Sequence, residues 1–115
     1  MEDDDIRLQV LFYKTTAGHE PVREWLKKLP VEDREILGHD LKTAQYGWPL
    51  GMPLIRKLEP GLWEIRSRLP ARIARVNFTV EEDKMVLLHG FIKKSEKTPV
   101  QDLQLARQRL NALRD

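Results

Sequence analysis

The chain contains no cysteine. Disulfides, thiolate metal sites and cysteine nucleophiles are therefore excluded, and a reducing compartment is compatible with that absence. No stretch approaches the roughly 18 consecutive apolar residues of a membrane helix, so no membrane association is expected. Histidine is scarce. His19, His39 and His89 are scattered, with no HxxxH spacing. They do not form a recognisable metal site, and neither a metal nor another cofactor is expected. Internal repeats and low-complexity tracts are also missing. The first residues, MEDDD, are acidic, the opposite of a basic signal-peptide start, so the expected location is cytoplasmic. The aspartate run reads as a solvated tail.

The 115 residues fit one domain, 1–115, with a modest core. The formal net charge of +2 is small, but its distribution is uneven. Residues 1–53 carry seven Lys/Arg against ten Asp/Glu, whereas residues 54–97 carry ten against six. Three of those six acids, Glu81, Glu82 and Asp83, sit together in one predicted turn.

Ile6 to Tyr13 is rich in β-formers and predicts a first strand. Pro21 suits the first position of a helix. Val22, Trp25, Leu26 and Leu29 then recur on one helical face, and Pro30 ends that helix. Val31 to about Tyr46 predicts a second helix with Leu37, Leu41 and Ala44 inward, so the two form a helical hairpin. GWPLGMP (47–53) is a Gly/Pro-dense loop. Four strands follow: Leu54–Leu58, Leu62–Leu69, Arg72–Val80 and Met85–Ile92. Met85 to Phe91 is almost wholly apolar, which predicts a strand buried on both faces. A last helix opens with Thr98 as N-cap, Pro99 at the first position and Gln101 closing a capping box. Its expected buried stripe is Leu103, Ala106, Leu110 and Leu113.

Strand periodicity puts Trp63, Ile65, Ser67 and Leu69 on one face, and Glu64, Arg66 and Arg68 on the other. In the next strand Ala74, Val76, Phe78 and Val80 point inward, and Arg75, Asn77 and Thr79 outward. Antiparallel pairing brings Arg66, Arg68 and Arg75 onto one face, with Lys57 and the Lys93, Lys94 and Lys97 run at its rim. Cations spaced along a small sheet suit polyanionic phosphate, which points to RNA or DNA. The plain alternative is the solvated side of an antiparallel sheet. Against it, Glu64 is the one acid among these outward positions, and arginine favours bidentate phosphate contacts. His89 lies in the most apolar strand, where a lone histidine is more often a packed core residue. Among the tryptophans only Trp48, in the loop, is a candidate for stacking on a base.

LxPGLWEIR, then RIARV, then LLHGFIKKSEKTP and a final amphipathic helix resemble the phage-derived branch of the HigB/RelE-like toxins of bacterial type II toxin–antitoxin systems. EPVREWLKKLP extends the likeness over essentially the whole chain. The resemblance implies a RelE-like α+β fold, an antiparallel β-sheet with an N-terminal helical hairpin and a C-terminal helix. It implies a ribosome-dependent endoribonuclease that cuts mRNA in the A site, and a cognate antitoxin protein as partner. The positions it matches are Arg56, Lys57, Arg66, Arg75, Lys93, Lys94 and Lys97. His89 occupies the family's LLH position. Relatives that use Tyr or Asp near the end of the sheet are not matched, because neither occurs between Met85 and Pro99.

Cleavage without a metal would proceed by attack of the 2′-OH on its adjacent phosphate. It requires a base, cations for the phosphorane charge and an acid for the 5′-oxygen. Arg66 and Arg75 suit the charge stabilisation. Lys57, Lys93, Lys94 or Lys97 is the expected base, with Glu64 as an outside candidate. Arg68, Lys94 or His89 is the expected acid. Arg56, Arg68, Lys97 and His89 are the expected RNA contacts. Two other functions suit the same fold and charge. One is a ParE-like toxin that inhibits DNA gyrase without cutting RNA, and the other is a passive RNA-binding phage accessory domain.

Overall fold

Period-two patterning and short polar turns build a five-stranded sheet. The structure, a computed structural model, describes residues 7–93 and 97–114. Its elements are β1 (Gln9–Phe12), α1 (Pro21–Lys28), α2 (Val31–Gly47), β2 (Ile55–Glu59), β3 (Leu62–Leu69), β4 (Arg72–Glu81), β5 (Lys84–Lys93) and α3 (Val100–Arg114). The strand order is β1-β5-β4-β3-β2. Strands β2 to β5 pair antiparallel, as the tight connections between them require. β1 departs from the expected antiparallel sheet, because it runs parallel to β5. Both helices and three strands lie between the two in sequence, so no hairpin dictates their relative direction.

One face of the sheet carries α1 and α2. Val22 of α1 is buried, with Trp25, Leu26 and Leu29 packed against the same core. From α2, Leu37, Leu41 and Ala44 are buried. They meet Ile65, Leu69, Ala74, Val76, Phe78, Met85 and Leu87 of the sheet. Each large apolar side chain buried there contributes about 1.5–3 kcal/mol. Polar ties fix α2 to the sheet as well. Ser67 Oγ donates to Asp40 Oδ2 at 2.6 Å, and Arg72 forms a close ion pair with Asp33. Arg72 thus belongs to the helical face. Trp48 packs edge-on against Trp63, with ring centroids 5.1 Å apart, and against Phe78. Its ring is half-buried in this core.

The opposite face is not a solvated surface. α3 lies across it and builds a second, smaller cluster from Leu62, Val86, Leu88, Ala106 and Leu110. Glu64, Arg75, Asn77 and Thr79 on this face are fully buried. Of the expected α3 stripe, Ala106 and Leu110 are buried, whereas Leu113 is 39% exposed because the last turn runs past the apolar patch. The start of α3 also differs. The Leu103 N–H donates to the Pro99 carbonyl at 3.0 Å, which makes Pro99 the capping position. The Thr98 hydroxyl donates to Glu64 Oε2 at 2.8 Å. Among the described residues no helix is long and apolar enough to cross a membrane.

Candidate functional site

The sheet register sorts the polar residues under and beside α3 into rungs. Arg56, Glu64, Asn77 and His89 are successive cross-strand neighbours from β2 to β5. The next rung is Arg66, Arg75 and Phe91. The third is Arg68, Ile73 and Lys93. Arg66, Arg68 and Arg75 therefore do share one face, and Arg56 and His89 join them.

His89 reaches that face through a β-bulge. Phe78 pairs with Leu87 and Asn77 with His89, so Leu88 is an extra residue in β5. Met85 and Leu87 point to the helical face. Strict alternation would send His89 there too, and the inserted residue reverses it. Gly90 then faces α1. A Cβ at Gly90 would lie 2.4 Å from the Trp25 ring, so no larger residue fits without displacing the indole. The Leu88 carbonyl, left over by the bulge, accepts from Arg109 Nη1 at 2.7 Å. Burial pulls the Arg109 guanidinium below its ordinary value, with Tyr13 beside it acting in the opposite direction.

His89 Nε2 lies 2.7 Å from Asp102 Oδ1 on the first turn of α3. Both side chains are largely buried, 13% and 18% exposed. The imidazole stacks on Phe91, with centroids 5.2 Å apart. With Nε2 engaged by the carboxylate, Nδ1 is the nitrogen that remains for proton exchange. A carboxylate in this position fixes the orientation of the ring.

Beside this pair lies a buried carboxylate. Glu64 Oε2 accepts from Asn77 Nδ2 at 3.0 Å and from Thr98 Oγ1 at 2.8 Å. Arg75 Nη1 stands 4.0 Å from Glu64 Oε1, and both side chains are fully buried. An ion pair sealed from water positions its neighbours and is costly to break. Arg75 is thus part of the wall, whereas Arg66 is half-buried and Arg68 and Arg56 are exposed. Among the described residues neither Arg56 nor Arg68 pairs with a carboxylate.

The remaining predicted residues divide. Lys57 pairs across strands with Trp63, and its Nζ lies 6.0 Å from the Trp63 ring centroid. That places it on the helical side, away from the arginines, because cross-strand partners share a face. Lys97 is exposed just before Thr98. Lys93 closes β5 opposite Ile73. Lys94 lies outside the described residues. Asp102 was not singled out in the sequence. Its signal was a carboxylate four residues before Ala106, on the flank of the buried stripe.

The sheet with two helices on one face and one on the other has the RelE-like α+β architecture. Residues 24–111 match the family described as phage derived protein Gp49-like (DUF891). The chain belongs to that family, and Gp49-like proteins are related to toxin–antitoxin toxins. No curated protein matches the chain.

Proposed function

We propose that this protein is the toxin of a type II toxin–antitoxin system, an endoribonuclease that cuts mRNA on the ribosome in the cytoplasm. The 2′-OH attacks its neighbouring phosphorus, and the bond from phosphorus to the 5′-oxygen breaks. The products are a 2′,3′-cyclic phosphate and a 5′-OH end. His89 takes the 2′-OH proton at Nδ1, and Asp102 stabilises the imidazolium that results. Arg66 and Arg68 neutralise charge on the phosphoryl oxygens. Lys97, at the rim, delivers a proton to the 5′-oxygen. Arg56 contacts the RNA backbone, while Arg75 and Glu64 hold the floor of the site. Lys57, facing away, has no part in this scheme. A cognate antitoxin covers the arginine rungs when the toxin is silent.

One observation carries this function: a histidine–carboxylate pair at 2.7 Å, set on the same sheet face as three water-accessible arginines. The pair supplies proton transfer where the arginines supply charge. A sparse site of this kind depends on a substrate posed for it, which the ribosomal A site provides. The test maps transcript 5′ ends after brief induction. Cuts confined to translated regions and carrying 5′-OH ends are the expected result. Growth arrest with intact transcripts and inhibited gyrase would replace this function with the ParE-like one.

A further inference from the structure

β2 is shorter than its partner. Its pairing with β3 ends at Ile55 and Ile65, and the Arg66 N–H reaches the Leu54 carbonyl at 2.8 Å. Hydrogen-bonding direction alternates along a strand, so the Arg68 N–H and carbonyl point to the same side as those of Arg66. Among the described residues no strand lies beyond them. A cleft wraps this open edge. One lobe, about 340 Å³, is lined by Ile36, Asp40, Pro53, Leu54, Arg66 and Arg68. The other, about 260 Å³, adds Met52 and Ile73 around the same proline and arginines. Each lobe is near the lower limit for small-ligand pockets.

The lining is chemically mixed. Met52 is 60% exposed, and the half-buried Ile36, Leu54 and Ile73 offer further apolar surface. Among the described residues Asp40 is the one carboxylate in either lobe. Its Oδ2 is fixed by Ser67 Oγ at 2.6 Å, and its Oδ1 lies 3.9 Å from the exposed His39 ring. Among the described residues no arginine or lysine neutralises it. An acceptor held in place beside an apolar wall and two guanidiniums matches one nucleotide: a flat base, an amino group and a phosphate.

We infer that this cleft is a nucleobase subsite, a role that rests on the RNA-cleaving function proposed above. The base lies along Pro53 and its apolar neighbours, its phosphate reaches Arg66 and Arg68, and Asp40 accepts from an exocyclic amino group. A carboxylate has no proton to donate, so the amino groups of cytosine, adenine and guanine are favoured, whereas uracil sets its O4 acceptor where cytosine carries the amino group and is repelled. Asp40 thus sets base preference at one fixed position beside the cut.

Cut-site mapping with the wild type, Asp40→Asn and Met52→Ser tests this. Asparagine still accepts from Ser67 but adds a donor, so the fold is kept and the polarity changes. The wild type is expected to show uridine depleted at one position. Asp40→Asn should raise the share of uridine there by about threefold or more, the scale of one net hydrogen bond. Met52→Ser, at an exposed loop residue, should lower cleavage by about threefold with the end chemistry unchanged. Unaltered base preference in a wild type and Asp40→Asn that both cut mRNA overturns the subsite and leaves the nuclease standing. Absence of cuts by the wild type overturns the nuclease, and the subsite falls with it.

Discussion

Arg109 Nη1 donates to the Leu88 carbonyl at the single residue by which β5 outruns β4. The bulge turns His89 towards Asp102, and Arg109 satisfies the backbone group that the bulge leaves over. Removing the side chain strands a buried acceptor. Arg109→Met should destabilise the protein by about 1–3 kcal/mol, measured by urea unfolding. It should also weaken the His89–Asp102 contact, visible as a changed imidazole NMR signal.

His89→Gln should lower cleavage by about 10²–10⁴-fold, the range for losing a positioned acid or base. Asp102→Asn keeps the hydrogen-bonding shape but loses the negative charge, so a smaller loss is expected. Urea midpoints for both variants should stay close to the wild type. Single-turnover cleavage on programmed ribosomes gives the measurement. Full activity in His89→Gln would remove the histidine from the chemistry.

Arg66 and Arg75 are neighbours with different duties. Arg75→Ala leaves Glu64 buried without its cation and should cost about 3–5 kcal/mol in stability. Arg66→Ala should cost much less stability, yet lower cleavage by about 10²-fold. Unfolding curves beside cleavage rates separate the two. If Arg75→Ala folds normally and only activity is lost, Arg75 touches substrate directly.

The hydrogen bond from Arg107 holds the Glu59 carboxyl below its ordinary value of 4.5, outweighing the opposing pull of burial, and the Arg107 charge acts in the same direction as the bond. A carboxylate whose value is depressed in the folded state adds stability above its unfolded value. That stability is lost as pH falls through the folded value. Both side chains are substantially exposed, 29% for Glu59 and 46% for Arg107, so water screens the gain. Glu59→Gln should therefore flatten the thermal-melt profile slightly below about pH 4.5, and change little near neutrality.

Most elements were legible in the sequence because their signals are local. Leu62–Leu69 was bounded as observed, and Pro21 opened α1 where predicted. The facing of Arg66, Arg68 and Arg75 followed from alternation alone. Long-range facts were not legible in the same way. Nothing local says that α3 folds back over Glu64 and Arg75, so a face predicted to lie open to phosphate is sealed at its centre. Alternation also fails across a bulge, which is why the setting of His89 escaped. Lys57 stood near the arginines in sequence, but its register with Trp63 sends it through to the other side of the sheet. Asp102 meets His89 only once α3 is docked.

The three tryptophans, Trp25, Trp48 and Trp63, all pack with the core between the sheet and the first two helices. Their ultraviolet emission therefore monitors that layer alone. Melting of the helical layer should redden the spectrum strongly. Occupancy of the arginine rungs on the other side should pass almost unseen by intrinsic fluorescence, so an added dye or a nuclear-spin probe is the suitable detector there.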